Sequence, residues 1–338
     1  MRKLLVLLLV VSLFGCQKST SSKLKDLGYV EEDIELICTF PEEIQERFLS
    51  SYNGVCVELM NTNGFDINNL DLYIKNYGKF ENEKLVRIIN ENMDIDKLYE
   101  LYSNEYYIAS NEELYLKYFD SYSNIRDLIE VINTKTYLEY YTNIEETDTS
   151  KNYLMLINKY HALSSDYAPN DLVYIDTEYG SREWMLTRAE VYEKYKQLQD
   201  DANALGYNFK ICSGYRSYDY QYGLYNKYLS QDEGGQASVD TYSARPGHSE
   251  HQSGLCLDLT DAQYGMDNFG LSEASKWVNE NCYKYGFIIR YTAEKEKITG
   301  YEAEPWQIRY VGDANIAKDI MDRNITFDEY YACFIEDK

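Results

Sequence analysis

The amino-acid sequence predicts an α+β fold, in which a small, mostly helical module precedes a domain with a mainly antiparallel sheet and flanking helices. In residues 24–150, Leu, Ile and Tyr recur at helical spacing. After residue 151, short alternating segments are typical of strands, but they do not alternate regularly with helices as in a parallel α/β sheet. The polar stretch 148–152 predicts the boundary, so the expected domains are 24–150 and 151–338.

Residues 1–16 predict an export signal of the lipoprotein type. A charged start is followed by an apolar run over residues 4–14, which is shorter than the roughly 18–20 residues that span a bilayer. The ending Leu13-Phe14-Gly15-Cys16 resembles a bacterial lipobox, in which Cys16 would be lipidated. A signal cleaved without lipidation and a short uncleaved anchor are the alternatives. Residues 17–23 are small and polar, as in a flexible tether, which predicts a lipid-anchored protein on the extracellular face of the cell membrane.

The composition excludes one large class of partner. The formal net charge is −24, whereas nucleic-acid binding requires clustered Lys and Arg. Tyrosine is common, at 37 residues, but it suits both cores and ligand-binding surfaces and decides nothing alone. Of the seven cysteines, those beyond Cys16 could form disulfides outside the cytoplasm, and the sequence leaves their pairing open. The absence of a Cys-x-x-Cys motif argues against a thiolate zinc site.

The N-terminal module contains a weak internal repeat. Residues 72–75 and 85–90 resemble residues 114–117 and 128–133, at an offset of about 42 residues. The module contains no histidine and no catalytic grouping. We therefore expect it to position the second half or to bind a partner.

The elements of the second half can be predicted in order from turn residues, caps and periodicity. The expected strands are 153–157, 209–213, 255–259, 287–291 and 306–311. The expected helices are 187–205, 218–230 (capped by Ser217), 272–285 and one that begins at the Thr326–Glu329 capping box. Residues 231–243 are expected to form a mobile loop.

Four side chains suggest hydrolytic metal chemistry. The chain has three histidines, and His251 stands just before the strand whose leucines face one side and whose Asp258 faces the other. Such a site needs about three protein ligands, an open position for water and a nearby carboxylate base, for which Glu304 is the candidate. Arg216 follows a turn at a helix start, where it could bind an anion such as a peptide carboxylate. Each residue taken alone could instead be an ordinary surface or structural residue.

Together these residues belong to a specific series of motifs. In chain order they are Ser213-Gly214-Tyr215-Arg216-Ser217-Tyr218 with Gln221, Ala244-Arg245-Pro246-Gly247-His248-Ser249-Glu250-His251-Gln252 with Gly254 and Asp258, Gly286-Phe287, Arg290-Tyr291, Lys297-Ile298-Thr299-Gly300, Glu304-Pro305-Trp306 and Arg309-Tyr310-Val311-Gly312. Over about residues 153–323 the series resembles the VanY-type D-alanyl-D-alanine carboxypeptidases. The resemblance implies an α+β zinc peptidase that trims terminal D-alanine from peptidoglycan stem peptides.

The resemblance also implies roles for individual residues. His251 and Asp258 would bind one Zn²⁺, and Glu304 would be the general base. The family has histidine as the third ligand at the position of Gln307. A glutamine offers only a neutral amide oxygen, so the outcomes left open are weakly bound zinc with reduced activity, a different metal, or a domain without catalysis. His248 is a possible substitute ligand.

The remaining implied roles concern the substrate. Arg216, counted with Glu304 among the catalytic residues, would hold the terminal carboxylate or the oxyanion, together with Gln221 and Ser249. Cys256 stands where the family has alanine, which is a small change in volume. The expected function is a cell-envelope metallo-carboxypeptidase. The alternatives are a catalytically impaired or inactive peptidoglycan-binding lipoprotein and an interaction protein that acts through its N-terminal module.

Overall fold

The computed structural model describes residues 19–50 and 54–336, so the lipobox and Cys16 lie outside the described residues. The chain divides into two compact units between Asn104 and Glu105. Across residues 19–50 and 54–336, no helix combines the length and the apolar character needed to cross a bilayer.

The first unit is helical. Its α-helices are α1 (Thr20–Leu27), α2 (Glu31–Ile37), α3 (Glu42–Ser50), α4 (Leu70–Asn76), α5 (Asn82–Asn90) and α6 (Ile95–Ser103), with 3₁₀ turns at Gly54–Asn61 and Ile67–Asn69. Apolar residues at helical spacing, such as Leu85, Val86 and Ile89 of α5, form its core.

The second unit contains the sheets. Its elements are α7 (Glu112–Tyr118), α8 (Ile125–Asn133), β1 (Glu145–Glu146), β2 (His161–Ala162), β3 (Leu172–Tyr174), β4 (Leu186–Arg188), α9 (Ala189–Ala204), β5 (Lys210–Ser213), α10 (Tyr218–Gln231), α11 (Gly235–Tyr242), β6 (Cys256–Thr260), α12 (Glu273–Asn281), β7 (Phe287–Ile289), α13 (Glu296–Thr299), β8 (Gln307–Tyr310), α14 (Ala314–Asp322) and α15 (Phe327–Phe334).

The internal repeat has a structural basis in each unit. Tyr73 of α4 donates a hydrogen bond to Oδ1 of Asn90, and its hydroxyl accepts the backbone N–H seven residues earlier. Tyr115 of α7 makes the same bond to Asn133 and accepts the N–H at the same spacing. Each copy is therefore a helix pair closed by a Tyr–Asn hydrogen bond, which is part-buried in the first copy and buried in the second.

The main sheet has the strand order β5-β6-β8-β7, and every neighbouring pair is antiparallel. The apolar side chains of β6, Leu257 and Leu259, pack in the core of the unit with Ile308 of β8. Smaller pairs are parallel β1–β2 and antiparallel β3–β4. The predicted α+β class with a mainly antiparallel sheet is thus confirmed.

The prediction of a strand at residues 153–157 is wrong. A 3₁₀ helix covers Thr149–Leu154, and the following apolar residues are buried without pairing to a strand. Their carbonyl groups have another partner: Nη2 of Arg309 donates to the carbonyl oxygens of Tyr153 and Met155, at 3.0 and 2.9 Å. A buried guanidinium here replaces the ladder of hydrogen bonds that a strand would need.

The prediction of a mobile loop at 231–243 is also wrong, because this segment contains α11. The carboxylate of Asp232 accepts hydrogen bonds from the N–H of Gly234 and from the hydroxyls of Ser238 and Tyr242. Val239 packs inward and is fully buried. A single side chain therefore organises a segment whose composition is typical of a loop.

Helix α8 explains why the second unit begins at Glu105, whereas the sequence places a domain boundary near residue 150. Nη2 of Arg126 lies 3.1 Å from a carboxylate oxygen of Glu329 in α15. Nζ of Lys295 lies 2.9 Å from the carboxylate of Glu130. These long-range ion pairs, which no local pattern reveals, join α8 to the rest of the second unit.

A buried network of charges surrounds Glu250. Oε1 of Glu250 accepts hydrogen bonds from Nε of Arg290 (2.9 Å) and Nη1 of Arg309 (2.7 Å). Nη1 of Arg290 also donates to Asp328 of α15, at 2.7 Å. All four side chains are buried. The network ties the segment around residue 250 to β7, β8 and the C-terminal helix.

Replacing Asp328 by alanine should lower the free energy of unfolding by about 3–5 kcal/mol, because it leaves the buried Arg290 without one of its carboxylates. The matched control is Asp322→Ala, which removes the carboxylate of an exposed pair with Lys318 on α14 and should cost about 0.5 kcal/mol or less. Denaturant unfolding of both variants checks this. Equal losses in the two variants would contradict the role given to the network.

Candidate functional site

His251 is held in a fixed orientation. It lies in a 3₁₀ turn, Glu250–Ser253, that ends at Gly254 with φ 67°. Its Nδ1 lies 2.6 Å from the carbonyl oxygen of Gly214. Because a carbonyl can only accept, Nδ1 carries the proton and Nε2 presents its lone pair.

His251 and Asp258 converge as the sequence predicts. Nε2 of His251 lies 3.2 Å from Oδ2 of Asp258, yet it forms no hydrogen bond, and Oδ1 of Asp258 also has no hydrogen-bond partner. Two ligands at about 2.0–2.2 Å from a tetrahedral zinc ion would lie about 3.3–3.6 Å apart, close to the separation of Nε2 and Oδ2. The separation and the two unsatisfied buried atoms therefore fit a shared cation.

The electrostatic surroundings keep Asp258 ionised. Burial favours its neutral form, but without a cation in the site the charges of a protonated His251 and of Arg216 outweigh burial and lower the pKa of the carboxyl below its ordinary value. Nη2 of Arg216 lies 3.9 Å from Oδ2 of Asp258. An ionised carboxylate is the form that binds a metal.

Gln307 stands beside this pair. It is the cross-strand partner of Asp258 in the β6–β8 ladder, so both side chains lie on the same face of the sheet. Gln307 is buried and lines the same cleft as His251 and Asp258. The structure thus brings the side chain of Gln307 to the same cleft and the same sheet face as Asp258.

Glu304 lines the cleft immediately before Pro305 and β8. Burial, followed by the charge of Asp258, raises the pKa of Glu304 to about 8. A cation beside it would favour the charged form and lower that pKa. The side chain is therefore suited to exchanging a proton near neutral pH.

Arg216 can offer donors to an anion in the cleft. Its backbone N–H donates to the carbonyl oxygen of His251 (3.1 Å), which fixes the segment next to the candidate ligand. Its buried Nε has no hydrogen-bond partner. An unsatisfied guanidinium donor is the group expected to bind a carboxylate.

Gln221 and Ser249 are also buried in the wall of the cleft. Gln221 lies in the second turn of α10, and its Nε2 donates to the carbonyl oxygen of Ala244 at 2.8 Å. All the predicted site residues with described side chains are therefore brought together: Arg216, Gln221, Ser249, His251, Asp258, Glu304 and Gln307.

The cleft has a volume of about 280 Å³, and aromatic residues form much of its wall. Sequence reasoning did not assign Tyr291, Tyr301 or Trp306 to this wall, although two of them stand within the matching motifs. Asp267, Tyr291 and Ala303 line both the cleft and a larger groove of about 720 Å³. The groove is therefore adjacent to the cleft.

His248 does not replace the missing imidazole. Its Nδ1 lies 2.8 Å from the carbonyl oxygen of Asn158, and its ring packs edge-on against Tyr141. It is buried, and it is not among the described residues that line the cleft. The structure gives His248 a structural position.

A second group of possible metal ligands lies elsewhere, at Glu145, His161 and Glu336. Nζ of Lys135 is 2.7 Å from Glu145 and 3.7 Å from Glu336, so a lysine already supplies positive charge there. Burial and Lys135 lower the pKa of His161 to about 4. Without a metal, the residues of this cluster form an ion-pair network with Lys135.

The described cysteines Cys38, Cys212, Cys256, Cys282 and Cys333 have free thiols. Cys256 is fully buried, and burial raises the pKa of its thiol well above the ordinary value. It therefore behaves as a small core residue next to Asp258.

Comparisons with known proteins agree with this geometry. A family model described as VanY, D-alanyl-D-alanine carboxypeptidase, matches residues 185–313. YodJ, a Bacillus subtilis (strain 168) protein that carries a carboxypeptidase name, is 40% identical over 205 residues, which cover 57% of this chain and 74% of YodJ. VanXYC of Enterococcus gallinarum, a bifunctional D-Ala-D-Ala dipeptidase and carboxypeptidase, is 33% identical over 185 residues, covering 53% of this chain and 94% of VanXYC.

Among solved structures, the LdcB LD-carboxypeptidase, described for its peptidoglycan recognition, is similar. It shares 39% identity with a TM-score of 0.53, and the match covers 57% of this chain and 91% of that chain. The predicted relationship and the predicted peptidase class are thus confirmed. The chain belongs to the VanY family of D-alanyl-D-alanine carboxypeptidases.

Proposed function

We propose that the protein is a zinc carboxypeptidase that removes terminal D-alanine from peptidoglycan stem peptides. One observation carries the proposal. Nε2 of His251 and Oδ1 of Asp258 are buried and unsatisfied, and the two side chains converge in an open cleft that also contains Glu304. Buried polar atoms without partners are costly, and a bound cation would satisfy both.

His251, Asp258 and Gln307 would hold the zinc ion. When bound, zinc polarises the scissile carbonyl and lowers the pKa of a water molecule. Glu304 takes a proton from the attacking water and delivers it to the nitrogen of the departing D-alanine. Both steps suit a carboxyl whose pKa lies near the working pH.

Arg216 would bind the carboxylate at the end of the substrate, which makes the enzyme a carboxypeptidase and not an endopeptidase. The rest of the stem peptide would then extend in the direction of the groove that begins at Asp267, Tyr291 and Ala303. Apart from Arg216, the described residues that line the cleft and this groove include no Lys or Arg. The single cation in the lining thus favours one position for a negatively charged end group.

The second candidate function is a peptidoglycan-binding protein that does not cleave its ligand. Gln307 favours it, because a neutral amide is a weak substitute for a third imidazole. Both candidates use Arg216 and the same cleft, but only the carboxypeptidase requires a bound metal.

Replacing Gln307 by histidine should raise the zinc affinity at least 10–100-fold, because altering even an outer-shell partner of a metal site changes affinity by about that much. D-alanine release from muropeptides should rise in parallel. The measurement is zinc titration of the purified soluble part, followed by product assays at saturating zinc.

The matched control is Gln263→His, which adds an imidazole at an exposed position and should change neither property. D-alanine release by the native sequence at saturating zinc supports the carboxypeptidase. Release restricted to Gln307→His would reject native activity and favour the binding protein.

Replacing Arg216 by methionine should weaken binding of peptides with a free C-terminal carboxylate about 10–100-fold, the range for a hydrogen bond to a charged group. Binding of the same peptides with an amidated C-terminus should be weak and unchanged by the substitution. Arg182→Met, which removes an exposed cation, is the control. An equal loss for acid and amide ligands would refute carboxylate recognition by Arg216.

We further propose that Cys16 carries a lipid that anchors the protein to the extracellular face of the cell membrane. The support is the lipobox-like ending of the apolar run at residues 13–16. In bacterial cells, Cys16→Ser should shift the protein from the membrane fraction to the soluble fraction, whereas Cys38→Ser should not. Membrane retention of Cys16→Ser would reject the lipid anchor and leave the uncleaved anchor.

A further inference from the structure

The side-chain amide of Gln221 has a defined orientation. Its Nε2 lies 2.8 Å from the carbonyl oxygen of Ala244, which can only accept a hydrogen bond. Exchanging the two ends of the amide would place two acceptors against each other, so Oε1 must point the other way. Oε1 is buried and has no hydrogen-bond partner.

A donor from the ligand would satisfy this acceptor in the wall of the cleft. Leaving a buried carbonyl oxygen unpaired is costly, and the described protein supplies no donor to this one. A carboxylate has only acceptors, so the terminal carboxylate of the substrate cannot satisfy Oε1. The carboxylate-binding role that the sequence implies for Gln221 leaves this atom unexplained.

We propose that Oε1 of Gln221 accepts the hydrogen bond of the scissile amide N–H, the nitrogen of the departing residue. This inference rests on the proposed function. In the last residue of a peptide, the amide nitrogen and the carboxylate are both attached to the same Cα. A ligand whose carboxylate is held by Arg216 therefore brings its last N–H into the same part of the cleft, which Gln221 also lines.

Two consequences follow for the reaction. The hydrogen bond fixes the rotation of the last residue about its carboxylate anchor, which a single ion pair to Arg216 would leave free. The same hydrogen bond holds the N–H on one side of the nitrogen. The nitrogen lone pair is then free on another side of the atom, where it can receive the proton from Glu304. Gln221 would thus be a specificity residue that selects an amide over an ester.

The test compares two ligands that differ at this one group. The peptide ends in D-alanyl-D-alanine, and its ester analogue ends in D-alanyl-D-lactate, in which an oxygen replaces the N–H. Dissociation constants are measured at saturating zinc by calorimetry in a Glu304→Gln background, which prevents turnover. Gln221→Met is then introduced, with Gln236→Met at an exposed position of α11 as the control.

We expect Gln221→Met to weaken peptide binding about tenfold and ester binding less than twofold, with no change in Gln236→Met. Any general disturbance of the cleft, such as loss of the bond to Ala244, would weaken both ligands equally. Equal losses for peptide and ester would therefore overturn the inference while leaving the proposed function intact. If neither ligand binds the reference protein, the proposed function fails, and the assignment of Gln221 fails with it.

Discussion

The hydrogen bond between Nδ1 of His251 and the carbonyl oxygen of Gly214 determines what the site can do. It fixes the tautomer of the imidazole, so that Nε2 faces Asp258 as a lone pair. The segment that carries this carbonyl group packs tightly against β4, because a Cβ at Gly214 would lie 2.3 Å from the carbonyl oxygen of Leu186. A glycine in the motif thus allows the backbone that binds the candidate ligand His251 to lie against β4.

The segment that carries His251 is held by a network of buried charges. Glu250, the preceding residue, is buried and shared by Arg290 and Arg309, and Arg290 continues to Asp328 in the C-terminal helix. Burying ions costs free energy, but their mutual hydrogen bonds offset much of it and fix one geometry. The same Arg309 also binds the carbonyl oxygens at residues 153 and 155. Ligand placement, sheet and C-terminal helix are therefore coupled through a few buried guanidinium groups.

Much of the site could be predicted, because alternation along β6 places Asp258 opposite its leucines and the motif series brings His251, Arg216 and Glu304 together. The strand predicted at 153–157 failed because of a contact distant in sequence, since Arg309 binds the carbonyl oxygens of residues 153 and 155. The ion pair between α8 and Glu329 is equally distant in sequence, and no local pattern predicts it. The orientation of Gln221 depends on the Ala244 carbonyl group, which no pattern identifies. Helix α11 is a local failure, since hydrogen bonds to the carboxylate of Asp232 organise a segment whose composition is typical of a loop.

The central claim is that His251 and Asp258 share one zinc ion despite glutamine at position 307. The most direct measurement is a crystal structure of the soluble part with zinc, using anomalous scattering at the zinc edge. The account predicts one strong peak about 2.0–2.2 Å from Nε2 of His251 and from a carboxylate oxygen of Asp258. A peak at Glu145 and His161 alone, or no peak in the cleft at saturating zinc, would contradict it.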